Sequence, residues 1–573
     1  MSIKRMWILA LVLILANLND AAQIQFVLVN HSSSLWCPAE GGPALRIVWR
    51  KNDAVVQNST CVRYRLNITE EEINTNYSYE VDGNGLSKKK DINLIVERCP
   101  KTCQCTVLEG NIEGLIRVDC ERKQLRSIPC DIPRATVRLD LSENQFKTLQ
   151  PDIFYPLWRL RGLWLENNNL KTLPEELFTG QDNLKYLRLV GNQLEKLPRY
   201  IFHGLTDLEE LDLSHNQLQN LSRGVLSTNT KLKELDLSNN EIKHLPLDVF
   251  GNLTSLKKLF LSSNKIRRLP HFNNLSEIET LYIDNNRIAN LSANQFHGLS
   301  KLRDLAIHDN DITHLPHGVF EGLKNMLSMS FHLNKIRNVS KEHFKDVAPT
   351  IRSLYFHHNR MRKLPEGFLS TMPNLTRATV DTNMMCCHLT KEDADCDYVY
   401  VDSFASCETM FRNRAARTCI WAIATMSLVG AIFVITWRMV YRETNIVQPI
   451  MLIHLAVSDG LMGIYLITIG WKDATWAGQY HLHDYNWRTS LACQITGAIA
   501  VLSSEVSLML LSLISADRLK NIVFPFHVGG LTNKATHALC FIIWIIGFII
   551  AFLPTIGIQY FRAPAGDDHF YGK

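Results

Sequence analysis

Hydrophobic positions along the chain fall into three regimes. Between residues 25 and 97, short apolar runs such as Ile24-Gln-Phe-Val-Leu and Leu45-Arg-Ile-Val-Trp-Arg alternate with polar residues, the period of half-buried strands. Between 135 and 385 the template L-x-x-L-x-L-x-x-N-x-L recurs, its Asn at Asn144, Asn168, Asn192, Asn216, Asn240, Asn264, Asn286, Asn310, Asn334, Asn359 and Asn383. The spacing is 24 residues apart from one interval of 22 and one of 25. Beyond residue 417, apolar runs of membrane-spanning length cover about 418–439, 446–470, 489–514 and 535–557. The predicted fold is therefore multidomain: a β module, a repeat solenoid, and an α-helical transmembrane region at 418–557.

A period of this length predicts eleven stacked leucine-rich repeats. Each contributes a short strand with inward leucines, such as Leu211 and Leu213, and an Asn whose amide bonds along a ladder of turns. Ten residues after most of these Asn positions stand Phe154, Phe178, Phe202, Leu226, Phe250, Phe296, Phe320 and Phe344, a predicted spine on the convex side. The solenoid's ends require caps. Cys99, Cys103, Cys105 and Cys120 in residues 99–130 form the first, and Cys386, Cys387, Cys396 and Cys407 in 386–417 the second. Cys130 has no assigned partner.

The compartment follows from residues 1–22. Lys4 and Arg5 precede the apolar run Met6 to Ala16, with Ala21 and Ala22 behind it, which is the pattern of a secretory signal. Ten glycosylation sequons, at Asn30, Asn58, Asn67, Asn76, Asn220, Asn252, Asn274, Asn290, Asn338 and Asn374, all precede residue 417. An oxidising compartment favours disulfides over zinc for the cap cysteines. In the β module, Cys37 and Trp49 resemble the start of an immunoglobulin-like sandwich. Tyr79 stands where the second cysteine is expected, leaving Cys61 as partner.

At 573 residues the chain exceeds one core. Its 20% charged residues average a polar first part with an apolar last part. The net charge of +5 is not gathered into one basic stripe along the sequence, so nucleic acid is not an expected partner. No metal ligand set, nucleophile elbow or phosphate-binding glycine loop is present, and no enzymatic activity is expected.

Leu455-Ala-Val-Ser-Asp459, Cys493, Asp517-Arg518-Leu519 and Trp544 stand in the order of the signature positions of rhodopsin-like receptors, which the chain resembles. Cys493 and Arg518 are 25 residues apart, about 38 Å of helix, and so lie at opposite membrane faces. Finer resemblance is to the relaxin-receptor group, through Leu461-Met-Gly-Ile-Tyr-Leu466, Gly478-Gln-Tyr480, Ser503-Ser-Glu-Val-Ser507 and Ile522-Val-Phe-Pro-Phe526. It implies four of seven helices, a disulfide at Cys493, G-protein coupling through Asp517 and Arg518, and a sodium ion held by Asp459 and Ser507. It also implies a plasma-membrane receptor with its N-terminal part outside, binding a relaxin- or insulin-like peptide or protein hormone and signalling through heterotrimeric G proteins.

Three departures stand against the family pattern. Two cysteines precede residue 99, too few for the group's cysteine-dense calcium-binding module. Gly430-Ala431 replaces the family's Gly-Asn. The sequence stops at Lys573, within what would be a partial second loop at 558–573, and continuation into three more spans is expected. A leucine-rich-repeat adhesion protein, or a truncated receptor that binds hormone without signalling, is the alternative. The expected hormone face is the concave one, where Glu210, Asp212, Glu234, Asp236, Asp284 and Asp304 form an acidic ladder with Trp164, Phe260 and Tyr282 as aromatic platforms. Leu-Glu-Glu-Leu-Asp-Leu is also ordinary repeat consensus that keeps such a face soluble.

Overall fold

The computed structural model describes the strands and one turn of residues 23–97, then residues 98–108, 115–361, 363–389, 394–441, 447–523 and 531–556. The expected signal segment, Asn30, Asn76, Cys37, Cys61 and the loop at 558–573 lie outside these residues. The chain divides into two compact units, residues 1–330 with 345–347, and 331–344 with 348–573.

The first unit opens with the β module. Its strands are β1 (Gln23–Leu28), β2 (Ser32–Trp36), β3 (Arg46–Lys51), β4 (Ala54–Ser59), β5 (Arg63–Asn67), β6 (Tyr77–Gly83) and β7 (Leu86–Glu97). They form a five-stranded sheet ordered β1-β7-β6-β3-β4 and a two-stranded β2-β5 sheet. β1 runs parallel to β7, and the other pairings are antiparallel.

The solenoid then adds one strand per repeat. The N-terminal cap supplies β8 (Gln104–Val107) antiparallel to β9 (Ile116–Asp119), with disulfides Cys99–Cys105 and Cys103–Cys120. β10 (Thr136–Asp140), β11 (Gly162–Trp164), β12 (Tyr186–Arg188) and β13 (Glu210–Asp212) follow in parallel register. β14 (Glu234–Asp236), β15 (Lys258–Phe260), β16 (Thr280–Tyr282), β17 (Asp304–Ala306) and β18 (Ser328–Ser330) continue it. Strands of three residues hold because the template buries the leucines: Leu211 and Leu213 are at most 1% exposed.

The Asn ladder bears the polar load. Asn216 donates to the carbonyls of Leu189, Leu213 and Ser214 at 2.9–3.1 Å and accepts from Leu194 N–H at 3.1 Å. Each turn's otherwise orphaned backbone groups are thus satisfied by its neighbour. The aromatic spine stacks at 6.3 Å for Phe154–Phe178 and Phe178–Phe202. Phe272 belongs to it too, between Phe250 and Phe296 at 6.5 and 6.4 Å. The 22-residue repeat brings it two positions early, so a fixed ten-residue offset misses it.

In the second unit β19 (Ser353–Tyr355), β20 (Arg377–Thr382) and β21 (Asp395–Tyr400) pair in parallel. Here the ladder ends differently from the template. Asp381, not Asn383, receives the N–H groups of His358 and Asn359. Asn383 starts the short helix α1 (Asn383–Cys386) and accepts from Asp402 N–H at 2.8 Å. Disulfides Cys386–Cys396 and Cys387–Cys407 close the second cap.

Among the described residues, four helices are long and apolar enough to cross a membrane: α2 (Arg414–Val440), α3 (Val447–Thr475), α5 (Leu491–Val523) and α6 (Asn533–Ile556). Each expected span is found, and α5 runs nine residues past 514, so Asp517 and Arg518 stand within the helix. A helix the apolar pattern does not predict, α4 (Tyr480–Arg488), lies between α3 and α5. Glycines let α2 and α3 approach closely, as in lipid-embedded bundles. A Cβ on Gly463 would lie 3.1–3.2 Å from Leu428 N and Ala424 O, and one on Gly460 would lie 3.3 Å from Ala431 Cβ. The alanine at 431 therefore serves packing where the family's asparagine would make a polar contact.

Candidate functional site

The exposed sheet face of the first unit carries two rows in strict register. One reads Asp140, Trp164, Arg188, Asp212, Asp236, Phe260, Tyr282 and Ala306. The other reads Tyr186, Glu210, Glu234, Lys258, Thr280 and Asp304. The structure brings Asp212 and Asp236 side by side and sets Phe260 against Tyr282, ring centroids 5.4 Å apart and edge-on. It does not leave all the predicted acids open. Glu210 is held by Arg188 at 2.6 Å and Glu234 by Lys258 at 3.1 Å. Asp284 accepts from Ser262 Oγ at 2.6 Å and faces His308 Nε2 at 3.6 Å.

Asp212 and Asp236 each use Oδ1 to cap the serine two residues on, at 3.0 and 2.8 Å. Burial pushes the Asp236 carboxyl above the usual range against the Ser238 hydrogen bonds, and Asp212 and Glu234 add to it. Burial raises Asp304 likewise, against Arg303. A pair of carboxylates that repel at one strand spacing is a seat for a cation.

Two residues of this face escaped the sequence reading. Arg188 separates Trp164 from the acids and bridges Glu166, at 3.6 Å, to Glu210. Its place in Tyr186-Leu-Arg188 matches that of Asp212 one repeat on, so strand alternation could have found it. Gly162 lies beneath the Trp164 indole, where a Cβ would come within 2.4 Å of the ring.

In the bundle, Ser507 donates to Asp459 Oδ1 at 2.8 Å and to Ser458 Oγ at 3.0 Å. Both Asp459 and Ser507 line a cavity of about 500 Å³ with Ser427, Ala431 and Ser503. Asp517 is buried and within 3.4 Å of Asn521 Nδ2, whereas Arg518 is exposed. Cys493, expected in a disulfide, is a half-buried free thiol.

The cap docks on the α3–α5 end of the bundle through residues no motif announced. Asp473, 4% exposed, accepts from Met410 N–H at 2.8 Å and Arg417 Nε at 2.7 Å. Arg488 binds Asp402, and Asp484 at 2.7 Å. Burial works to raise Asp402, but the N–H groups of Ala405 and Phe404 and the Arg488 charge hold it below the usual range. Met384, Ala405, Met410, Ile469, Tyr480 and Trp487 form the apolar core of this junction.

His388 of the cap faces His481 of α4, ring centroids 5.1 Å apart. Burial, then His481, drives it down to about 4, with Glu366 opposing and Lys341 adding. A depressed histidine is neutral when folded, so its contribution is complete above about pH 6.5 and is lost as pH falls towards 4. The loss reaches about 3 kcal/mol. Asp381, pushed up to about 6 by burial, acts with the opposite sign. The melting difference between wild type and His388→Gln therefore isolates the histidine; it should change between pH 6.5 and 4.5, and a constant difference refutes the assignment.

Residues 408–570 match the family described as 7 transmembrane receptor (rhodopsin family), and stretches between 134 and 349 match the leucine rich repeat. The family matched by residues 408–570 is a receptor family, not an enzyme family. The chain thus joins leucine-rich repeats to a segment that is similar to the rhodopsin family of 7 transmembrane receptors. It is 35% identical over 202 residues to G-protein coupled receptor GRL101 of Lymnaea stagnalis, covering 35% of this chain and 17% of that protein. It is 35% identical over 161 residues to relaxin receptor 1 of Homo sapiens, covering 28% and 21%. Over 172 residues it is 35% identical to relaxin receptor 2 of Canis lupus familiaris, covering 30% and 22%. The matches thus span about a fifth of the length of these relatives.

Proposed function

We propose that the chain is the ligand-binding and first membrane part of a plasma-membrane receptor for a basic peptide or protein hormone of the relaxin type, coupled to heterotrimeric G proteins. The adjacent carboxylates of Asp212 and Asp236 beside the Phe260–Tyr282 pair carry this reading. An arginine of the hormone would bridge the two acids while an apolar side chain rests on the rings. The sequons agree. Asn220, Asn252, Asn274, Asn290, Asn338 and Asn374 are exposed and none lies on a strand, so glycans there leave the sheet face bare.

Charge reversal, Asp212→Lys with Asp236→Lys, should weaken binding of a basic relaxin-like peptide by more than about 2 kcal/mol. Retained affinity in a folded variant places the docking face elsewhere. In the bundle, the oxygen donors of Asp459 and Ser507 suit a sodium ion, a hard cation, and Arg518 at the far end of α5 would meet the G protein. Asp459→Asn should then abolish the sodium dependence of agonist affinity; an unchanged salt response counts against the ion.

A further inference from the structure

The cations that look scattered along the sequence are not scattered on the solenoid. In the turn after each ladder Asn, backbone bonds stack one repeat on the next: Gln145 N–H to Leu125 O, Asn169 to Phe146, Gln193 to Leu170, and Lys243 to Gln219. That stacking aligns the turns carrying Arg126, Lys147, Lys171 and Lys196, one cation from each of four successive turns, all exposed. Lys243, Arg267 and Arg268 continue the flank beyond the turn of Gln219 and Asn220. Among the described residues none of these seven pairs with a carboxylate; Arg126 reaches only the amide of Gln145, at 3.4 Å. Glu195, beside Lys196, is the single acid at the aligned positions.

The opposite flank is built differently. There Glu209 holds both Lys185 and Lys233 at 2.6 Å, Asp207 holds Lys231 at 2.6 Å, and Glu277 holds Lys301 at 2.7 Å. On the first flank Arg122 and Lys265 are also paired, with Glu143 at 2.6 Å and Glu241 at 3.1 Å, but the seven cations named above are not.

We propose that this unpaired flank, with Arg126, Lys147, Lys171 and Lys196 at its centre, binds a linear sulfated polysaccharide of the heparin type at the cell surface. The inference rests on the reading of the solenoid as extracellular. The four cations span about 15 Å at one strand spacing each, the geometry of an extended polyanion and not of a compact anion. They lie off the sheet face, so polysaccharide and hormone could be held together. A sulfated chain concentrates basic ligands, and this flank would place that reservoir beside the acidic pair. Asn220, a sequon, stands between the two groups of cations, so a glycan there would confine the polysaccharide to the first group.

The test uses the full chain on intact cells, with an N-terminal tag antibody scoring solenoid exposure and fluorescent heparin as probe. Arg126→Gln with Lys147→Gln, Lys171→Gln and Lys196→Gln should weaken heparin binding at least tenfold. The slope of log affinity against log salt should fall by about 3. Lys185→Gln with Lys231→Gln, Lys233→Gln and Lys301→Gln should leave both nearly unchanged. Equal losses in the two variants, or no loss in the first, overturn the proposal. Single-stranded DNA of matched charge binding as tightly as heparin also overturns it, since the surface would then lack selectivity for a sulfated sugar. Absence of the tag signal on intact cells would instead refute the extracellular reading.

Discussion

Asn240→Ala should open the middle of the solenoid. Its amide donates to Leu213 O, Leu237 O and Ser238 O at 3.0–3.1 Å, and its Oδ1 accepts from Leu218 N–H at 3.0 Å. The side chain is 7% exposed, so water cannot replace it without opening the turn. Leaving several buried backbone groups unpaired, at about 1–3 kcal/mol each with partial relaxation, gives an expected loss of about 3–5 kcal/mol. Because repeats are stabilised by their neighbours, hydrogen exchange should rise first in the repeats around 213–264 and fade with distance. Asn239→Gly, at an exposed left-handed position (φ +53°) whose amide lies 3.3 Å from His215 Nε2, is the control and should cost at most about 1 kcal/mol. Equal exchange in the two variants would show that the ladder does not hold the turns.

Asp473→Ala should release the cap from the bundle. The substitution strands the Arg417 guanidinium and the Met410 N–H at a junction cored by Met410, Tyr480 and Trp487. Breaking a buried pair by removing one partner costs about 3–5 kcal/mol, and the one-third exposure of Arg417 puts the expectation at the lower end. Asp473→Asn keeps an acceptor for Met410 N–H and should fall between wild type and alanine. Thermal melting of the purified chain, with proteolysis at 394–412 as a local readout, measures both. Alanine and wild-type proteins that melt and cleave alike would mean the ion pair contributes nothing to docking.

Most of the architecture was legible because it is periodic. The Asn positions, inward leucines and Phe spine repeat with the chain's own period, and the four spans are long enough to be read from hydropathy alone. The exceptions sit where the period breaks. Phe272 is displaced by the short repeat, Asn383 opens a short helix and accepts from Asp402 N–H in the cap, and α4 is too short and polar to stand out. In the candidate site, counting acids overstated the open charge. Arg188 and Lys258, read from the same strands, neutralise two of them.

The sequence by itself determined which residues are inward, which face the sheet surface, and how many helices are apolar enough to span a membrane, since each depends on local period and composition. Only the tertiary structure decided which charges meet. Arg417 and Asp473 are 56 residues apart, Asp402 and Arg488 86 apart, and the free and paired lysine flanks differ only in what the next turn brings beside them. Pairing is set by distances of a few ångströms between remote segments, and no pattern along the chain encodes those distances directly.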